Sequence, residues 1–176
     1  MIQQKSKTLR KGAPLDHEMA VSEVYHFLNI NKKEPGWLID MNAPVMYPTK
    51  IIKQLPVNRE YRGHVFDLAI YNVVVDMEYG LDANIPKYIP IAYIEINGNV
   101  GYKYLDGAGR VQKANPTKHS KELQKRNDKI NKNYCEDEGI IYKTLLKEEI
   151  NGDLRDPDKL KNTQLYLRRE LLEFIK

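Results

Sequence analysis

From Ala20 to Leu28 the apolar residues fall three and four apart: Ala20, Val21, Val24, Phe27 and Leu28. That spacing makes one face of a helix. Asp16, two residues after Pro14, is placed to cap its start, and the helix is expected to end near Leu28 or Asn29. Between 31 and 49 the period is lost. Pro35, Gly36, Pro44 and Pro48 with the only tryptophan, Trp37, predict a packed loop. Lys50 to Val57 reads as a strand through Ile51, Ile52 and Leu55, kept short by Pro56. His64 to Val75, HVFDLAIYNVVV, is rich in β-branched and aromatic residues and predicts a second strand. Gly80, Pro86 and Pro90 make 76–90 a connection, and Ile91 to Ile96 predicts a third strand that ends at Asn97-Gly98.

Residues 98–117 carry further glycines and Pro116 and read as a loop or irregular hairpin. Lys118 to Glu138 has the length and polarity of a surface helix, and Gly139 supplies its C-terminal stop. Ile140 to Leu146 predicts a last strand. Asp156-Pro157 then offers a cap and a first-turn proline for a helix carried to the C-terminus by Leu160, Leu167, Leu171 and Ile175. The order α, β, β, β, α, β, α, with one crossover helix, predicts an α/β core: a small mixed β-sheet flanked by helices on both faces.

Composition narrows the class. The chain has 176 residues, 41% hydrophobic and 30% charged, ordinary for one globular domain. A single cysteine excludes an internal disulfide framework. The four histidines are scattered and no CxxC occurs, which argues against a structural zinc site. No apolar run reaches the ~20 residues of a membrane span, and the first residues lack the apolar stretch of a secretory signal. A soluble, intracellular (cytoplasmic) protein without a membrane partner is the expectation. Net charge is +4, and Lys5, Lys7, Arg10 and Lys11 match it alone. Residues 1–13 are therefore read as a basic, flexible arm, either solvated or touching phosphate, and 14–176 as a single domain.

Two acids interrupt the strongest strands. Asp67 lies within HVFDLAI and Glu95 within IAYIEIN. Acids are depleted in strands, and a buried carboxylate without a partner is costly. Strict alternation puts Phe66, Leu68 and Ile70 on one face and Asp67 with Ala69 on the other. It likewise groups Ile91, Tyr93, Glu95 and Asn97 against Ala92, Ile94 and Ile96. If the two strands are neighbours, Asp67 and Glu95 converge. Two such acids are either surface groups paired with lysines or the oxygen ligands of Mg²⁺ or Mn²⁺, which commonly takes one or two protein carboxylates.

A helix, a strand bearing Asp67, a strand bearing Glu95-Ile96-Asn97, then a helix and a strand together resemble the core of the PD-(D/E)XK nuclease superfamily over residues 16–146. EINGNVGY is similar to the E-x-D-G-x-x-H segment of very-short-patch-repair and related phage nucleases, and RNDKINKNYCEDEGI to the helix that closes their core. The resemblance implies a restriction-endonuclease-like fold (αβββαβ plus a C-terminal helix). It also implies Mg²⁺- or Mn²⁺-dependent hydrolysis of DNA phosphodiester bonds, with DNA as partner and a homodimer where both strands are cut. The metal would fall to Asp67 and Glu95, helped by an acid of the first helix, Glu23 or on the other flank Glu18.

The chain departs from that pattern twice: Asn97 stands where the lysine is expected, and Gly101 where the histidine is expected. Asn97 can position water but carries no charge. The missing cation is therefore sought on the helix 118–138. There Leu123, Ile130 and Tyr134 form an apolar stripe, with His119, Glu122, Arg126 and Asn133 along one flank. His119 or Arg126 is the candidate to stabilise or shuttle charge. Lys118, Lys121, Lys125, Lys129 and Lys132 lie opposite, either a solvated face or a ridge that follows a nucleic-acid backbone. Among the twelve tyrosines, Tyr71, Tyr79, Tyr88, Tyr93, Tyr102 and Tyr104 are sheet residues or stacking platforms. Cys135 reads as buried and inert. The alternatives are a catalytically weak or inactive nuclease-fold domain that binds nucleic acid or a protein partner, and an accessory structural domain.

Overall fold

The computed structural model describes residues 15–52, 63–75, 86–98, 102–105, 108–114, 117–150 and 156–176; the basic arm lies outside them. The elements are α1 (Leu15–Asn31), β1 (Trp37–Met46), α2 (Thr49–Ile52), β2 (Gly63–Val75), β3 (Pro86–Asn97), β4 (Tyr102–Leu105), β5 (Val111–Ala114), α3 (Lys118–Glu138), β6 (Ile141–Leu146) and α4 (Pro157–Glu170). One sheet has the order β1-β2-β3-β6. Its first three strands are antiparallel, and β6 joins β3 in parallel, so the sheet is mixed. β4 and β5 form a separate antiparallel pair within 98–117, the stretch expected to be a loop or irregular hairpin.

Apolar burial explains the layers. Val21, Val24 and Leu28 of α1 and Leu167 of α4 pack with Leu68, Ile70, Ile94, Ile96 and Leu145 on one face of the sheet. Ile130, Tyr134 and Cys135 of α3 pack with Phe66, Ala69 and Tyr93 on the other. The helix α3 that carries the chain from β3 to β6 thus covers one face while α1 and α4 cover the second. The architecture is a mixed α/β fold built on a four-stranded sheet.

Local signals placed several ends well. Asp156 Oδ1 accepts the Lys159 amide at 3.2 Å with Pro157 in the first helical turn. Gly139 ends α3 with φ +69°, a conformation that glycine adopts without a Cβ penalty. Other expectations are corrected. α1 runs from Leu15 to Asn31, past the expected end. The segment 31–49 is mostly the edge strand β1, where Pro44 is tolerated because an edge residue need not donate to a second neighbour. Lys50–Val57 is not a strand over its described part: Thr49–Ile52 is a helical turn, and 53–57 lie outside the described residues. β3 begins at Pro86 rather than Ile91. β6 pairs only with Ala92–Asn97, so the earlier part of β3, with Pro86 and Pro90, has one open edge. α4 stops at Glu170; a 3₁₀ turn at Leu172–Phe174 follows, and Ile175 bridges to Lys32.

Strict alternation fails at two irregularities. Asn42 of β1 adopts φ 56°, between the pairs Met41–Leu68 and Ala43–Phe66. Across from it the side chains of β2 change sides: Phe66 joins the α3 face with Ala69 instead of sharing the face of Leu68 and Ile70. A bulge between Ile70 and Tyr71 leaves Ile91 as an extra residue on β3. Ile91 therefore packs on the α1 face with Ala92 instead of with Tyr93.

Candidate functional site: a carboxylate pair where two strands part

The β2–β3 ladder ends at Leu68–Ile94. One step further, Asp67 and Glu95 face each other. The Ile96 amide, which continued pairing would turn toward β2, instead donates to Asp67 Oδ2 at 2.8 Å. A side-chain carboxylate has replaced a backbone carbonyl, so the strands separate without stranding a buried donor. Because sheet amides point in the plane of the sheet, Asp67 Oδ2 lies between the strands rather than over a face. Asp67 lies close enough to Glu95 for its charge and hydrogen bonding to raise the Glu95 pKa.

Each carboxylate is also held by a histidine, one from each side of the sheet. His17 of α1 puts Nε2 3.2 Å from Asp67 Oδ2. His64 of β2 puts Nε2 on Glu95 Oε1. Asn131 of α3 completes the second contact: its Nδ2 lies 3.3 Å from Glu95 Oε1 and 3.2 Å from His64 Nε2, while its Oδ1 accepts the Tyr47 hydroxyl. Aromatic rings hold His64 in place, with Tyr47 stacked on it and Phe66 edge-on at 4.7 Å between centroids. The resulting string of polar groups runs from α1 through the sheet to α3.

Electrostatics follow from burial. Glu95 is only 8% exposed. Desolvation pushes its carboxyl well above the ordinary carboxylate range, and the charge and hydrogen bond of Asp67 add to the rise. For His17, burial pulls the pKa down, but the hydrogen bond and charge of Asp67, with Glu18 and Glu95, outweigh it and leave a net rise. Asp128 is raised chiefly by burial and pulled back by its bond to Asn97.

The expected site residues divide as follows. Asp67 and Glu95 come together. Asn97 points to the α3 side and spends its Nδ2 on Asp128 Oδ2 at 3.3 Å. From α3, the side chains of Asp128 and Asn131 reach the site. Arg126 is exposed on that helix, and the His119 side chain lies outside the described ones. Glu23 is half-buried further along α1, which reaches the pair through His17 instead. Lys118, Lys121, Lys125, Lys129 and Lys132 are all exposed, as a helix face away from the core requires. Tyr93 is buried and stacks on Phe66, Tyr71 is half-buried and Tyr88 is exposed; Tyr79 and the side chains of Tyr102 and Tyr104 lie outside the described set. Cys135 is fully buried beside Ile130 and Tyr134, and burial pushes its thiol up to about 12.

Sequence reading passes over His17, His64, Asn131 and Lys147. Two of them left a trace. His17 precedes Ala20 and Val21 by three and four residues, on the apolar face of α1. Asn131 is a polar residue set between Ile130 and Tyr134 in the apolar stripe of α3. Lys147, just past β6, left none. It lies 10% exposed with Nζ 2.9 Å from Asp16 Oδ2.

A divalent cation would be held by Asp67 and Glu95. Among the described residues no group of three or more His, Cys, Asp or Glu side chains is arranged to hold a metal ion. The donor set is still the oxygen-rich kind that Mg²⁺ and Mn²⁺ use, since these ions commonly take one or two carboxylates and fill the remaining positions with water and phosphate. One buried polar atom beside the pair is also left over. The Tyr142 hydroxyl makes no hydrogen bond of acceptable geometry, and Asn131, within its reach, is already committed to Glu95, His64 and Tyr47. Burial raises the Tyr142 pKa, and the charges of Asp128 and Glu95 raise it further, which places this hydroxyl in the field of the site's acids.

No family model, curated protein or solved structure matches the chain. Among the described residues no helix is long and apolar enough to cross a membrane.

Proposed function

We propose that the protein is a divalent-metal-dependent nuclease of restriction-endonuclease-like architecture, acting on DNA phosphodiester bonds at the Asp67–Glu95 pair. The observation that carries this reading is that Asp67 and Glu95 face each other across the gap where β2 and β3 part, with Asp67 holding the Ile96 amide. Two ionised carboxylates so close repel, and a proton or a cation near them relieves the repulsion. A catalytic cation site provides that relief at neutral pH, and the order of elements around the pair agrees with the nuclease core that the sequence resembles. When bound, Mg²⁺ or Mn²⁺ would supply an activated water and offset charge on the phosphate. This chain's own residues do the rest. His17 and the Ile96 amide hold Asp67 in the gap between the strands. His64 and Asn131 hold Glu95 from the α3 side. Asn97, fixed by Asp128, presents a neutral amide where the resembling family places a cation. The exposed lysines of α3 are suited to backbone phosphates.

A second reading keeps the fold and the binding but not the cleavage, and one specific observation favours it. Asn97 is bound to Asp128, while Lys147 lies by Gly98 and Asp16, on the α1 side of the sheet. On the Asn97 side, then, a histidine, His64 on Glu95, rather than a lysine is the basic group among the side-chain contacts described above. A positioned cation is typically worth several kcal/mol to such a barrier, so turnover is expected to be slow.

Plasmid nicking with Mn²⁺ or Mg²⁺ tests both readings. Slow metal-dependent nicking is expected, abolished by Glu95→Ala and kept or raised by Asn97→Lys, whose ammonium would meet Asp128. Protein that binds Mn²⁺ but leaves supercoiled, linear, branched and single-stranded DNA intact would overturn the enzyme and leave the binding domain.

A further inference from the structure

We infer that Lys147 and Asp16 form a positioning pair that seats His17 on Asp67 and so sets where the Asp67 carboxylate stands; the catalytic meaning of this rests on the reading of Asp67 and Glu95 given above. Every link is present. Lys147 Nζ lies 2.9 Å from Asp16 Oδ2. The other oxygen of Asp16 accepts the His17 amide at 3.2 Å. The His17 ring reaches Asp67 Oδ2, which also holds the Ile96 amide. The chain of contacts thus runs from the end of β6, through the first turn of α1, to the point where β2 and β3 part.

Burial separates this ion pair from the protein's surface pairs. The Lys147 side chain is 10% exposed, whereas Lys50, Lys132 and Lys159 are 70%, 64% and 54% exposed in theirs. Exposed pairs hold geometry weakly; here the Lys147 end is nearly enclosed while Asp16 stays 32% exposed, so the pair is part-buried. Gly98 makes the room. A Cβ there would stand 3.0 Å from Lys147 Cε and 3.2 Å from Nζ, with Glu148 Oε1 at 3.4 Å. The ammonium packs against Gly98, one residue past Asn97, so closely that a Cβ there would make it give by a few tenths of an ångström. With Asp16 on it and so little exposure, Lys147 is placed to orient a neighbour rather than to receive a phosphate. Groups that orient a site's ligands typically change metal affinity by about 10–100-fold when removed.

The test reads the His17 ring directly, by ¹⁵N–¹H NMR of the imidazoles at pH 7 in metal-free full-length protein, alongside Mn²⁺ affinity. A slowly exchanging, downfield His17 Nε2–H is expected in the parent protein. Lys147→Met should lose it and weaken Mn²⁺ binding about tenfold; Lys147→Arg should keep both. Gly98→Ala keeps every charge but displaces the ammonium by a few tenths of an ångström, and it should shift the same resonance. A His17 resonance unmoved by Lys147→Met overturns the inference, whatever happens to the melting temperature. If Lys147→Met does not fold, an unmoved resonance in Gly98→Ala overturns it instead. If the resonance follows Lys147 while even the parent protein binds no Mn²⁺, the positioning pair stands and the metal reading falls.

Discussion

Asp67 and Glu95 meet one step beyond the last β2–β3 pair, and Asp67 takes the Ile96 amide that the ladder leaves open. A carboxylate there takes the place of the backbone carbonyl that ordinary sheet would supply to that amide. The feature that opens the gap is therefore also the one that would supply the oxygens of the proposed metal site.

Replacing one charge separates stability from function. Glu95→Gln keeps the shape and removes a buried negative charge that faces another. The metal-free variant should melt higher than the parent at pH 7.5, and a gain of 1 kcal/mol would read as about 2–4 °C in a chain of this size. The same change should abolish Mn²⁺ binding measured by paramagnetic resonance. A lower melting temperature would mean that the ionised Glu95 is a net stabiliser through His64.

The pH dependence has a definite sign. Glu95 binds its proton more tightly in the fold than at its ordinary value of 4.5, and His17 more tightly than at 6.5. Groups raised by folding add stability that is complete below the ordinary value and lost as pH climbs through the folded one. In EDTA the melting temperature should therefore fall from pH 5 to pH 8, with the His17 share lost above 6.5. Millimolar Mn²⁺ should flatten the decline at the upper end by replacing the proton between the carboxylates. A flat EDTA profile would contradict the shifts.

Binding to nucleic acid should depend on salt if the α3 ridge follows phosphates. Each phosphate contact adds about 0.9 to the slope of log affinity against log salt on duplex DNA. Lys125→Ala with Lys129→Ala should lower that slope by roughly 2. An unchanged slope, measured by fluorescence anisotropy across a salt series, would assign these exposed lysines to solvent.

Phe66 links the core to the site. It is fully buried, stacks on Tyr93 at 4.3 Å and 8°, and backs the His64 ring. Phe66→Ala should cost about 3–5 kcal/mol in urea unfolding, the usual range for a buried phenylalanine. It should also loosen His64 and so weaken the hold on Glu95, visible as broadening of the His64 ring signals.

Local information alone determined much of this protein. Gly139 and Asp156-Pro157 marked helix ends because such residues act on their own backbone, and the density of β-branched residues in HVFDLAIYNVVV needed no partner to read as a strand. The misplacement of Asp67 and Glu95 within apolar runs was equally visible, since acids in buried strands are anomalous wherever they pack. Tertiary structure decided what depends on neighbours. β1 was hidden by Pro44 because only its place at the sheet edge makes that proline tolerable. Alternation misassigned Phe66 and Ile91 because the left-handed Asn42 and the bulge after Ile70 arise from pairing between strands. His17, His64, Asn131 and Lys147 come from α1, β2, α3 and the end of β6, far apart along the chain. Only the packing of α1 and α3 on opposite faces of one sheet brings the polar atoms of His17, His64 and Asn131 to the gap between β2 and β3, with Lys147 behind His17 through Asp16, and no spacing in the sequence encodes that distance.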